Sequence, residues 1–342
     1  MELIMSKKLL IILASLALIA AACGGGSSGD ASSGDASSDD AQGPSMAASS
    51  PIGAFFNEDG GFDEAIEEFS VKVEEGISIC MAEQGFEFAR TGNGGFNDPA
   101  TEAQSELTIR QWTKEYGYGV STSFESALNQ NASDPNAEIV FGMGEEERNQ
   151  WLFALTGQEG FGGLQGGGQD IALEEQGCIG QSLIATGAED VFEGLESFGN
   201  AYEEQEDALF DRREMVDAVD AWSRCLSEGG YDNYAEPDAP EAEILTRFQA
   251  ILAPYQAELN SIDPDEGAAI FSGDSVDAAD LPGLDIDALR TLQDDELATA
   301  LADLDCYDEH VKDIYEPLRD DFERGLMTEY QTELDSLKNI GS

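Results

Sequence analysis

The chain has 342 residues, with 71 acidic against 16 basic side chains and one histidine, for a formal charge of −55 at pH 7. Nucleic-acid binding rests on basic side chains that neutralise phosphate, so this balance excludes a nucleic-acid binder. It equally excludes an electrostatic grip on anionic lipid headgroups. The acidity reads as a well-solvated or salt-adapted surface, with loose divalent-cation binding as the sharper alternative.

In chain order, Lys7 and Lys8 precede the apolar run Leu9–Cys23, LLIILASLALIAAAC, after which comes GGGSSGD. A basic start, a short apolar run and small residues at Ala20 to Ala22 make up an export signal over residues 1–22. The run is shorter than the roughly 20 apolar residues that a membrane span needs. A cysteine directly after such a cleavage site resembles the lipobox of bacterial lipoproteins, although Ala20 stands where leucine is usual. The resemblance implies that Cys23 is acylated, with palmitate as a tracer of that lipid, and becomes the mature N-terminus on the outer face of the cell membrane.

Residues 23–60 are rich in Ser, Gly and Asp and hold few large apolar side chains until Phe55. Such a segment cannot offset its chain entropy by burial and is expected to be a disordered tether. For the 29 residues from 24 to 52, random-coil scaling gives a mean span on the order of 30 Å.

The folded part is expected to be mainly α-helical and built from two related units, residues 61–200 and 201–342. In DEAIEEFSVKVEEGISICMAEQG the apolar positions Ile66, Phe69, Val73, Ile77 and Cys80 form one helix face, and Gly85 is a C-terminal stop. In REMVDAVDAWSRCLSEGGY, Met215, Ala218, Trp222 and Cys225 recur at the same steps before Gly229 and Gly230. Laying Cys225 on Cys80 also matches Leu226 to Met81, Glu228 to Glu83, Gly230 to Gly85 and Tyr231 to Phe86, which reads as a degenerate duplication.

Each unit holds a second cysteine, Cys178 in LEEQGCIGQSL and Cys306 in LATALADLDCYDEH. Four cysteines in an exported chain allow three pairings. Cys80–Cys178 with Cys225–Cys306 is the expected set, because each bond then closes one unit. With no C-x-x-C spacing and a single histidine, a metal site is the weaker reading, and no cofactor is expected.

Between Cys80 and Cys178, Leu107 and Trp112 are expected on a helix ending at Gly117, and Trp151, Leu152 and Leu155 on one ending at Gly157. YGYGVST, residues 116–122, reads as a tight turn with stacked tyrosines, and GFGGLQGGGQ as a mobile loop. These glycines lack the strand and the GK(S/T) or GxGxxG pattern of a nucleotide loop. Further on, APEAEILTRFQAILAPYQAEL is expected as a helix interrupted at Pro254. The acidic loop after Ile262 lacks the glycine and glutamate spacing of an EF-hand. A long terminal helix is then marked by Leu297, Leu301, Leu304, Val311, Ile314 and Leu318, continues to Leu337, and is expected to bend at Pro317.

No catalytic constellation stands out: His310 is a lone helical histidine among carboxylates, and no G-x-S-x-G elbow occurs near a strand. The order ICMAEQGF, EYGYGVST, Asp134-Pro135-Asn136, EEERNQWLFALTG, AWSRCLSEGGY and ALADLDC resembles secreted and lipid-anchored helical proteins of actinobacterial cell envelopes whose function is unassigned. Trp222, Cys225, Gly230, Tyr231, Ala302, Asp303 and Cys306 carry the likeness, with Leu226 where methionine is usual. It implies an envelope location and supplies neither substrate nor reaction.

The expectation is therefore a lipid-anchored, non-enzymatic envelope component binding a protein or wall polymer, through loops around Tyr118 and Phe161. A carboxylate-dependent extracellular hydrolase and the solute-binding lipoprotein of a transporter are the alternatives.

Overall fold

The structure, a computed structural model, describes residues 49–57, 61–90, 107–133, 135–158, 172–231, 234–260, 262–263 and 276–340. The export signal, Cys23, most of the tether, Phe161 with its glycine-rich loop and most of the acidic loop after Ile262 lie outside the described residues. Among the described residues the chain forms thirteen α-helices and no strand, so it is mainly helical as expected.

The first helix, α1 (Pro51–Asn57), falls inside the stretch assigned to the tether. Ser50 and Pro51 suit the start of a helix, the Ser50 hydroxyl accepting from the Gly53 amide at 3.1 Å. Ile52 and Phe56, one turn apart, are 1% and 6% exposed, so burial outweighs the polar composition around them.

Helix α2 (Gly61–Glu83) carries Phe69, Val73, Ile77 and Met81 into the core. It is followed by α3 (Ile109–Tyr116), α4 (Phe124–Ser133), α5 (Pro135–Phe141) and α6 (Glu145–Thr156). Leu107 lies just before α3, whose start is fixed by a capping box between Thr108 and Gln111. Then come α7 (Gly177–Ala185), α8 (Glu189–Phe210) and α9 (Arg213–Glu228). Helix α10 (Ala239–Asn260) runs on through Pro254 instead of stopping there. Ala250, whose carbonyl the proline leaves without its usual amide, is exposed to water, as is Pro254 itself.

The terminal helix is three helices, α11 (Ile286–His310), α12 (Lys312–Glu329) and α13 (Gln331–Lys338). The breaks fall at Val311 and Tyr330, and Pro317 lies exposed within α12. Val311 is buried in the core. The buried face of α11 is Leu289, Leu292, Glu296, Thr299, Ala300, Asp303 and Leu304, whereas Leu297 and Leu301 are only partly buried.

Two hydrophobic clusters are closed by two disulfides. Around the first, α1, α2, α6, α7, α8 and α13 pack together, and Cys80 of α2 is bonded to Cys178 of α7 with Cα atoms 5.6 Å apart. Around the second, α9, α11 and the start of α12 pack together, and Cys225 of α9 is bonded to Cys306 of α11 with Cα atoms 5.7 Å apart. Both pairings are those expected. The matching glycines also do matching work. Gly85 and Gly230 have φ of 89° and 93°, which lets the chain reverse so that the Phe86 amide donates to Met81 O at 2.9 Å and the Tyr231 amide to Leu226 O at 3.1 Å. This is the same Schellman closure at both ends.

The boundary at residue 200 falls inside α8. This helix gives Phe198 and Tyr202 to the first cluster and Leu209 to the second, and α12 likewise gives Leu326 to the first and Tyr315 to the second. The two helices pack together and span both clusters.

Candidate functional site

Because the core faces of α8, α11 and α12 contain acids, three groups of buried polar side chains result. In the first, Glu296 of α11 sits at an apolar phase of its helix and is fully buried. Its carboxylate accepts from the Val120 amide at 2.7 Å, the Ser121 amide at 2.7 Å and the Ser121 hydroxyl at 2.5 Å. The YGYGVST segment is thereby held on α11. Its tyrosines do not stack on each other: Tyr116 stacks on Trp112 with ring centroids 4.4 Å apart, and Tyr118 turns inward.

Two turns along α11 lies Asp303, 2% exposed. One oxygen accepts from the Trp222 indole at 2.7 Å and the other from the Tyr118 hydroxyl at 3.0 Å. Burial pushes the Asp303 carboxyl above the usual carboxylate range, against these hydrogen bonds. Burial and the neighbouring Asp303 charge push the Tyr118 phenol well up. Tyr118 is only 2% exposed, so within the loop expected to bind a partner its own ring faces the core.

The third group lies between α8 and α12. Tyr315 donates to Glu206 at 3.0 Å, and Tyr202 donates to Glu323 at 3.1 Å. The buried Arg319 guanidinium lies 3.8 Å from Glu323 and donates to Ser49 O at 2.9 Å. Glu323 also accepts from the Ile52 amide at 3.1 Å. Burial raises the Glu323 carboxyl as well, partly offset by the Ile52 amide and Arg319. This layer joins the two hydrophobic clusters and fastens the start of α1 to α12.

At the disulfides, Cys80 and Cys225 are partly buried, whereas Cys178 and Cys306 are buried. Gln84 Nε2 lies 3.1 Å from Cys178 Sγ, and Cys80 Sγ lies 3.6 Å from Gln181 Oε1. In the second unit, the ligand-type atoms of Cys225, Glu309 and His310 all lie within 4.8 Å of one another. His310 is a partly buried residue with Nε2 3.8 Å from Glu309 Oε1.

Sequence reasoning found the cysteines and missed the buried carboxylates. The available signal was phase: Glu296 and Asp303 fall in step with Leu289, Leu292 and Leu304, and Arg319 and Glu323 with Tyr315 and Leu326. An acid at an apolar phase marks a buried partner elsewhere.

Compared with known proteins, the chain matches no family, no curated protein and no solved structure.

Proposed function

We propose that the chain is a lipid-anchored extracytoplasmic envelope protein whose helical, disulfide-stapled head is a non-enzymatic binding or structural component. The two disulfides support an oxidising compartment outside the cytoplasm. The basic start, apolar run and Cys23 support the anchor, and the likeness to actinobacterial envelope proteins agrees with it. No helix among the described residues is long and apolar enough to cross a membrane.

One observation carries the non-enzymatic reading. The buried carboxylates of Glu206, Glu296, Asp303 and Glu323 are each engaged by hydroxyl, indole or amide donors from other elements, so they join helices. A two-lobed solute-binding protein would need strands, which the described residues lack.

Cells fed labelled palmitate are expected to mark the wild-type chain and not Cys23→Ala; equal labelling overturns the anchor. Crosslinking in intact cells is expected to recover an envelope protein or a wall-polymer fragment bound to the head. Recovery of neither, together with cleavage of wall polymer by the purified chain, overturns the binding reading in favour of a hydrolase.

A further inference from the structure

The two disulfides have the same helical setting and different neighbours, so each serves as a control for the other. In both units the residue three positions after the second cysteine lies beside the sulfur of the first. In the first unit that residue is Gln181, and the next is Ser182, whose hydroxyl donates to Val73 O at 2.6 Å inside the α2–α7 seam. In the second unit the corresponding residues are Glu309 and His310, the single histidine of the chain. The position four after the first cysteine also differs. Gln84 covers Cys178 in the first unit, whereas the matching Gly229 offers no side chain. Neutral amides flank one disulfide, and an imidazole and a carboxylate flank the other.

Cys306, Glu309 and His310 are spaced i, i+3 and i+4 on the last turn of α11, so they share one face, and Cys225 meets that face from α9. The C-terminal end of a helix carries partial negative charge and favours a cation. We propose that the reduced form of the second disulfide is a binding site for a thiophilic divalent cation of the zinc class, with Cys225, Cys306, Glu309 and His310 as its ligands. Two thiolates, one imidazole nitrogen and one carboxylate oxygen make a four-ligand set of the kind that tetrahedral zinc takes. Cys225, Glu309 and His310 already bring their ligand atoms within 4.8 Å of one another, whereas Cys306 stands outside that trio and joins it as the thiolate freed from Cys225. Bond lengths of about 2.0 to 2.3 Å at such a centre require all four ligand atoms to draw closer when the cation binds.

The chemistry balances with an external dithiol as reductant. Two electrons and two protons pass from that dithiol to the Cys225–Cys306 bond, giving two thiols and the oxidised reductant. The cation then replaces the two thiol protons, which go to solvent. An external disulfide, the oxidised form of the same dithiol class, takes back the two electrons with two protons from solvent, which closes Cys225–Cys306 and releases the cation, so the unit holds either a covalent bond or a metal at one place.

The test is cobalt(II) titration of the purified full-length chain, oxidised and after anaerobic reduction with a phosphine and desalting. The reduced chain is expected to take one cobalt per molecule with a thiolate-to-cobalt band in the near ultraviolet and visible bands of tetrahedral cobalt. The oxidised chain is expected to show neither. His310→Ala is expected to weaken binding by at least about tenfold, since even loss of a partner that supports a metal ligand costs that much. Absence of the thiolate band, or equal affinity in His310→Ala, overturns the proposal. Alkylation mapping reads the same site without spectra. Zinc is expected to slow modification of Cys225 and Cys306 and leave Cys80 and Cys178 unchanged. Uniform modification of all four with and without zinc, as in a chain unfolded by reduction, also overturns it.

Discussion

Glu296 grips Ser121 twice, its carboxylate accepting the backbone amide at 2.7 Å and the hydroxyl at 2.5 Å from a residue 175 positions earlier in the chain. A third donor, the Val120 amide, reaches the other oxygen. All three groups lose water on folding, so the carboxylate replaces hydration that the turn would otherwise forfeit.

Glu296→Ala is therefore expected to destabilise the protein by about 3 kcal/mol, since it leaves a buried amide, a part-buried amide and a buried hydroxyl without their acceptor. Urea unfolding followed by circular dichroism measures this. A change under about 0.5 kcal/mol, the range of ordinary surface substitutions, would show that water replaces the carboxylate.

Each disulfide closes a long loop, 98 residues for Cys80–Cys178 and 81 for Cys225–Cys306. Replacing either pair by alanine is expected to cost about 4 to 5 kcal/mol in the chain-entropy treatment. Non-reducing peptide mapping should recover these two pairs, and a Cys80–Cys225 peptide would contradict the fold.

Helices α2 and α7 meet at Gly76 and Ser182. A Cβ added at Gly76 would lie 2.2 Å from the Ser182 hydroxyl oxygen and 3.0 Å from its Cβ, so Gly76→Ala is expected to cost about 1 to 3 kcal/mol by overpacking. Adding Ser182→Gly should recover part of that loss, a coupling that a double-mutant cycle in urea reads. Strict additivity would mean that the helices separate instead.

The Asp303 carboxyl is raised by burial above its ordinary 3.8, so the folded chain holds that proton more tightly than the unfolded chain. Its contribution to stability is fully present below pH 3.8 and is lost as the pH rises through the raised folded value. Asp303→Asn keeps an oxygen for the Trp222 indole and turns an amide to the Tyr118 hydroxyl, without a titrating group. The variant is expected to gain stability relative to wild type between pH 4 and pH 7. Urea midpoints at the two values measure this, and a constant difference would refute it.

Much of the helical plan was legible because it is local. The steps from Phe69 to Ile77 and from Met215 to Trp222 specify apolar faces, and Gly85 and Gly230 stand where the helices must reverse. The disulfide partners followed from the duplication. Helix α1 was hidden by its setting, since Ile52 is held by Glu323 and Phe55 lies under Lys338, partners more than 250 positions away that no local pattern reveals. The buried acids were hidden by abundance, because among 71 carboxylates only helical phase marks Glu296 apart from its exposed neighbour Asp295, and its partner Ser121 lies 175 positions away. Pro254 misled because it and Ala250 lie exposed, where water satisfies the carbonyl that a proline leaves without an amide.

The fastening of Ser49 and Ile52 to Arg319 and Glu323 has a mechanical consequence. Tension travelling down the chain from residues before Ser49 reaches α12 before it reaches α2. A pull from the N-terminal side therefore loads a helix near the opposite terminus, and α1 must be peeled from that grip before the force can strain the first disulfide.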